Sequence, residues 1–91
     1  MIHLISYDLD GRERPDAYAR IKDAIEAAAI SFRRPLYSQW LVETTESPQQ
    51  WTERLMGIMD RDDKLLVSQV RANGYWGYLN KEIWTWLSAR L

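Results

Sequence analysis

A small α+β sandwich, four antiparallel strands backed by two helices, is predicted by three observations on this chain of 91 residues. Runs with the two-residue period of a strand alternate with runs of helical period, in the order strand, helix, strand, strand, helix, strand. Turn and cap residues fall at the joints between those runs. The hydrophobic content of 46% is that of an ordinary folded protein, and the length suits a single domain with one core.

Residues 2–7 place His3, Ile5 and Tyr7 on one face and Ile2, Leu4 and Ser6 on the other. Apolar groups on both faces suit a central strand. A polar stretch from Asp8 to Arg14 pivots on Gly11, and Pro15 sits at a first helical position, where no amide donor is missed. The helix predicted over 15–29 carries Tyr18, Ile21, Ile25 and Ala28 in one stripe that covers a sheet. A short edge strand over 30–36 and a better strand over 39–44 follow, joined by a tight turn. Pro35 is tolerated only on an edge, because it cannot donate to a ladder. Ser47-Pro48-Gln49-Gln50 predicts a second helix, with Ser47 as N-cap and Gln50 closing a capping box. Its expected stripe is Trp51, Leu55, Ile58 and Met59. A charged turn over 60–64 leads to a Leu- and Val-rich strand over 64–70. Two β-α-β halves in this order make the ferredoxin-like βαββαβ sandwich, with both helices on one face of the sheet.

The opposite face needs cover. Asn73-Gly74 signals a turn, and Tyr75-Trp76-Gly77-Tyr78 leads to a last helix expected over 81–91 with Asn80 as its cap. Ile83, Trp84, Leu87 and Leu91 form its apolar stripe, with Trp86 beside it. So bulky a tail is either cover for the open face or the interface with a second subunit, and the candidate interface residues are Tyr75, Trp76, Trp84 and Trp86. A domain this small buries a modest fraction of its surface, so dimerisation is a further source of stability.

A net charge of −1 lacks the global basic field that drives non-specific nucleic-acid binding. The absence of cysteine excludes disulfides and thiolate metal sites and fits a reducing cytoplasm, where the chain is expected to reside. No apolar run approaches the ~20 residues needed to cross a bilayer, so no membrane partner is expected.

The strongest chemical lead is Tyr7-Asp8-Leu9-Asp10. A carboxylate at a strand tip is rigidly mounted, and Asp8 with Asp10 is a candidate pair for holding Mg²⁺ or Mn²⁺ against a phosphate, polarising it and activating water. The competing role for both is a turn acid bonded to its own backbone. Arg12, Arg14, Arg33 and Arg34 are candidate phosphate contacts provided that the first turn and the strand hairpin converge on Asp8; the alternative is solvated surface charge. His3 reads as a core or edge histidine. Asp60-Arg61-Asp62-Asp63 lacks the spaced ligands of a calcium loop and reads as a turn. The tail aromatics, Tyr78 included, could stack bases, but the spacing of Trp84 with Leu87 and Leu91 favours packing.

Taken together, Ile5-Ser6-Tyr7-Asp8-Leu9 with the helix after it, Ser38-Gln39-Trp40-Leu41-Val42 and Asp63-Lys64-Leu65-Leu66-Val67 resemble the small CRISPR adaptation subunit, the Cas-two family. More specifically they look like its non-CRISPR relatives, the SinR-like proteins and VapD-type toxins; the tail from Gly77 to Leu87 is most similar to the SinR-like group. The resemblance implies a ferredoxin-like homodimer in which Asp8 occupies the metal-binding position at the end of the first strand, two copies facing each other across the dimer. It implies metal-dependent cleavage of RNA or DNA phosphodiesters, or, as in CRISPR adaptation, a non-catalytic dimeric scaffold for duplex DNA. The acidic balance and the Trp-rich last helix depart from the adaptation subunit and weigh against a DNA scaffold.

Two functions therefore compete. One is a metal-dependent endoribonuclease with Asp8 as ligand. The other is a non-catalytic dimeric module, of a toxin-antitoxin or defence system, that uses the aromatic tail to bind a protein partner. A small-molecule sensing domain is a weaker third, with no glycine-rich loop to support it.

Overall fold

The computed structural model describes residues 1–9 and 15–91. Its elements are β1 (Ile2–Asp8), α1 (Pro15–Ala28), β2 (Ser31–Leu36), β3 (Gln39–Glu43), α2 (Pro48–Met56), β4 (Lys64–Val70) and α3 (Lys81–Ser88). The strands form one sheet in the order β2-β3-β1-β4, and every neighbouring pair is antiparallel. It follows that β2 runs parallel to β1 and β4 parallel to β3, so α1 and α2 each make a crossover between parallel, non-adjacent strands.

Local chemistry accounts for each helix. Pro15 presets the backbone angle of the first turn of α1, Asp16 complements the positive end of its dipole, and Ala17, Ile21 and Ile25, spaced by four, are its buried face. At α2 the capping box is complete: Gln50 N–H donates to Ser47 Oγ at 3.1 Å, and Ser47 N–H donates to Gln50 Oε1 at 2.8 Å. That helix is shorter than its stripe predicts. It ends at Met56 with Gly57 as C-cap, so Trp51 and Leu55 are buried from the helix while Ile58 and Met59 pack half-buried from the turn beyond it.

α3 also stops early, at Ser88, and its buried face is Ile83, Trp86 and Leu87 in place of the expected stripe. Trp84 is half-buried, and Leu91 is 37% exposed. Asn80 holds the extended N-cap backbone without a side-chain cap bond. The chain end is instead drawn toward the sheet by Arg90, whose Nε donates to Glu43 Oε1 at 2.9 Å while its guanidinium lies 4.6 Å from the Trp86 ring. Before this helix the chain reverses at Asn73, which takes a φ of 65°, and Gly74 N–H closes the turn on the Arg71 carbonyl at 2.9 Å. Asparagine is among the few side chains that tolerate that left-handed backbone.

Two cores sit on opposite sides of the sheet. Ile5 and Tyr7 of β1 and Trp40 and Val42 of β3 pack against Ile21 and Ile25 of α1 and Trp51 and Leu55 of α2. On the other side Ile2 and Leu41 pack against Ile83, Trp86 and Leu87 of α3, with Leu4, Val70, Tyr75 and Leu79 around them. β1 therefore has the two apolar faces expected of a central strand, and the last helix covers its own sheet. His3 is buried, and since the Glu46 carbonyl only accepts, its Nε2 at 2.7 Å is the protonated nitrogen. Among the described residues no helix is long and apolar enough to cross a membrane.

Candidate functional site

α3 covers only part of its face of the sheet. Its cluster reaches Ile2 and Leu4 but not the far half of the same stripe, where Ser6 and Asp8 follow on β1 with Gln39 on β3 and Leu66 on β4 beside them. Leu66 is 66% exposed. Between the covered and open halves runs a groove of about 330 Å³ whose apolar walls include Leu4, Leu36, Leu41, Val70 and Leu79. Trp76 and Tyr78, almost wholly exposed, stand at its rim.

Asp8 is exposed at the end of β1, as its strand-tip position predicts. Its neighbour across the β1–β4 ladder is Lys64, a residue of opposite charge on the same face of the sheet. Asp10, Arg12 and Arg14 lie outside the described residues. Among the described residues no group of three or more His, Asp or Glu side chains gathers where it could share a metal ion.

The β2–β3 hairpin does reach the end of β1, because Tyr7 N–H donates to the Ser38 carbonyl at 3.1 Å. Its two arginines, however, have other partners. Consecutive strand residues point to opposite faces, which sends Arg33 to the α3 side and Arg34 to the side of α1. Arg33 Nε donates to Glu82 Oε1 at 2.8 Å, and its guanidinium lies 5.5 Å from the Trp86 ring. Arg34 Nε donates to the Tyr37 carbonyl at 2.8 Å, and its guanidinium is within 5 Å of both the Tyr37 and Trp40 rings, at 4.8 and 4.9 Å. Both cations are spent on holding the hairpin and the last helix in place.

Of the four aromatics read as an interface, Trp86 is packed within the chain and donates Nε1–H to Ser31 Oγ at 2.9 Å. Tyr75 and Trp84 stack on each other with centroids 6.0 Å apart. Trp76 alone stands free, 98% exposed. Asp60 and Asp63 form the expected turn, Asp60 N–H donating to Asp63 Oδ2 at 2.8 Å and Asp63 N–H to the Asp60 carbonyl at 3.0 Å.

Sequence reasoning missed a cluster at the open end of the helix side, where Tyr18 lies 6.0 Å from Tyr7 and 5.2 Å from Tyr37. The signal available was the concentration of tyrosines near the ends of three elements. Trp40 Nε1–H donates to the Tyr7 hydroxyl at 3.0 Å. Burial pushes the Tyr7 phenol above its ordinary value, and this outweighs the opposite pull of the Trp40 hydrogen bond and the Arg34 charge. The unfolded chain thus loses this proton first as pH rises. Tyr7's contribution to stability is complete below about pH 10, the unfolded value, and is lost as pH climbs through the higher folded value. In an alkaline absorbance titration the last phenol to ionise is expected to vanish in Tyr7→Phe; five tyrosines titrating together would contradict this.

Comparison with known protein families and with curated proteins finds no match to this chain.

Proposed function

We propose that this chain is a ferredoxin-like, homodimeric interaction module of the Cas-two-like kind, nearest the SinR-like group, and that it works by binding rather than by catalysis. The observation that carries this reading is the partly open sheet face, where exposed Leu36, Trp76 and Tyr78 line an apolar groove and Leu66 is exposed on the uncovered half of the same face. Exposed apolar residues gathered in one region mark interaction sites more often than they mark loose packing. The commitment of Arg33 and Arg34 within the fold supports the same reading, because it ties up both described arginines that were candidates for guiding a phosphodiester to Asp8 and leaves Lys64 beside it. A protein surface in a toxin-antitoxin or defence assembly fits this chemistry.

A second reading is favoured by Asp8 itself. Its exposure at a strand tip suits a ligand for Mg²⁺ or Mn²⁺ in a metal-dependent endonuclease acting on RNA or DNA, with Asp10 as the second acid. The two readings separate in one experiment. Wild-type protein and Asp8→Asn are incubated with single-stranded and duplex RNA and DNA in Mn²⁺, Mg²⁺ or chelator, and the oligomeric state is measured in parallel. The interaction module predicts no cleavage and a dimer indifferent to chelator. Metal-dependent cleavage that disappears in Asp8→Asn would overturn it and establish the nuclease.

A further inference from the structure

The two edges of the sheet are treated very differently by the sequence. β2, one edge, carries Arg33, Arg34 and Pro35, and its register shifts between Arg33 and Leu36. Charge, proline and irregularity are the devices by which edge strands are kept from pairing with other chains. β4, the other edge, has none of them after Lys64: Leu65-Leu66-Val67-Ser68-Gln69-Val70 contains neither proline nor charge and pairs regularly with β1 over its whole length of seven residues. Among the described residues no strand or loop occupies its other side. A row of backbone donors and acceptors therefore faces outward along the strand.

We infer that β4 pairs antiparallel with β4 of a second copy, about a two-fold axis at Val67, joining two four-stranded sheets into one of eight. This deepens the dimeric reading above and rests on it. Charge selects the register. With the axis at Val67, Val67 faces Val67 and Leu66 faces Ser68, and just beyond the strand ends Asp63 of each chain, whose Oδ2 also accepts from Asp60 N–H, comes opposite Arg71 of the other, an opposite-charge pairing. Moving the axis to Leu66 sets Arg61 against Arg71, a like-charge pair. Moving it to Ser68 sets Arg71 against Leu65 and removes the complementarity.

The arrangement has a consequence for both readings of the protein. Strands about 4.8 Å apart and a rise of about 3.4 Å per residue put the two Asp8 positions about 25 Å apart, since β1 and both copies of β4 separate them. They cannot share one cation. The two-fold runs perpendicular to the sheet, so both grooves, with their Trp76 and Tyr78 rims, open on the same side and offer a partner two equivalent sites.

Sedimentation equilibrium of the full chain tests this. Leu66→Lys with Ser68→Lys changes two exposed positions on one face and sets lysine opposite lysine across the proposed ladder. A wild-type dimer that becomes monomeric in this variant, with unchanged circular dichroism, is the expected result. A wild-type dimer that persists in the variant would overturn the β4 pairing and leave the dimeric reading standing. A monomeric wild type at roughly tens of micromolar would overturn both. Should the double variant lose its fold, Arg71→Glu serves instead: it sets two acids opposite each other, and the dissociation constant should rise about ten-fold or more at low salt and less at high salt. An unchanged constant at low salt would again overturn the pairing.

Discussion

Trp51→Ala is expected to cost ~3–5 kcal/mol, the usual range for truncating a fully buried large aromatic. Trp51 has no exposed surface, sits between α2 and the sheet, and donates Nε1–H to Thr44 Oγ1 at 3.0 Å. The Arg54 guanidinium lies 4.7 Å from its ring, and Arg54 is held there by Glu46, whose two carboxylate oxygens are each 2.7 Å from Nη2. Folded domains are stable by only about 5–15 kcal/mol, so the loss is a large share of the total. At ~4–8 °C per kcal/mol for a domain of this size, the melting temperature should fall by well over ten degrees. Trp51→Phe separates packing from hydrogen bonding. Thr44 Oγ1 still accepts from Glu46 N–H at 3.0 Å, so the Phe variant should lose much less than the Ala variant. A cost below ~1 kcal/mol for Trp51→Ala would show that this core is not closed by the indole.

Trp86→Ala carries a comparable cost, again ~3–5 kcal/mol, but it should act on one layer of the fold. The ring is 4% exposed, has the Arg33 and Arg90 guanidiniums 5.5 and 4.6 Å from its centroid, and is hydrogen-bonded to Ser31. Only Ile83 and Leu87 would remain as buried anchors of α3. The expected result is that α3 leaves the sheet before the strands separate. Amide exchange should then quicken across Lys81–Ser88 while Ile2–Asp8 and Gln39–Glu43 stay protected by the helix-side core, and the uncovered Ile2 and Leu41 should bind a hydrophobic dye. Uniform loss of protection would mean that the two cores melt as one unit. Trp51→Ala, by contrast, should loosen the helix-side face of β1, where Trp51 packs with Ile5 and Tyr7.

The legibility of these elements in the sequence follows from how local their causes are. The capping box of α2 needs only Ser47 and Gln50, and the alternation of β1 needs only its own residues, so both were readable. The end of α2 was misread because Ile58 and Met59 keep the helical spacing by chance of sequence while Gly57 ends the helix beneath them. Leu91 was misread for a different reason: Arg90 bonds to Glu43, 47 positions away, and no local pattern reports such a partner. The candidate site divides in the same way. The exposure of Asp8 follows from its place at a strand end, whereas Lys64 opposite it depends on the register of β1 against β4. Arg33 and Arg34 look alike in the chain and have opposite surroundings in the fold.

By itself, then, the sequence determined the order of elements, the two apolar faces of β1 and the existence of an aromatic tail, because period, propensity and capping act within a few residues. Tertiary structure alone decided that α3 closes half of its own sheet face, that both hairpin arginines are occupied, and that β4 is an edge strand with no strand paired to its outer side among the described residues. Those outcomes depend on which distant residues are brought side by side, and the free energy that selects among such pairings belongs to the packed whole rather than to any one segment.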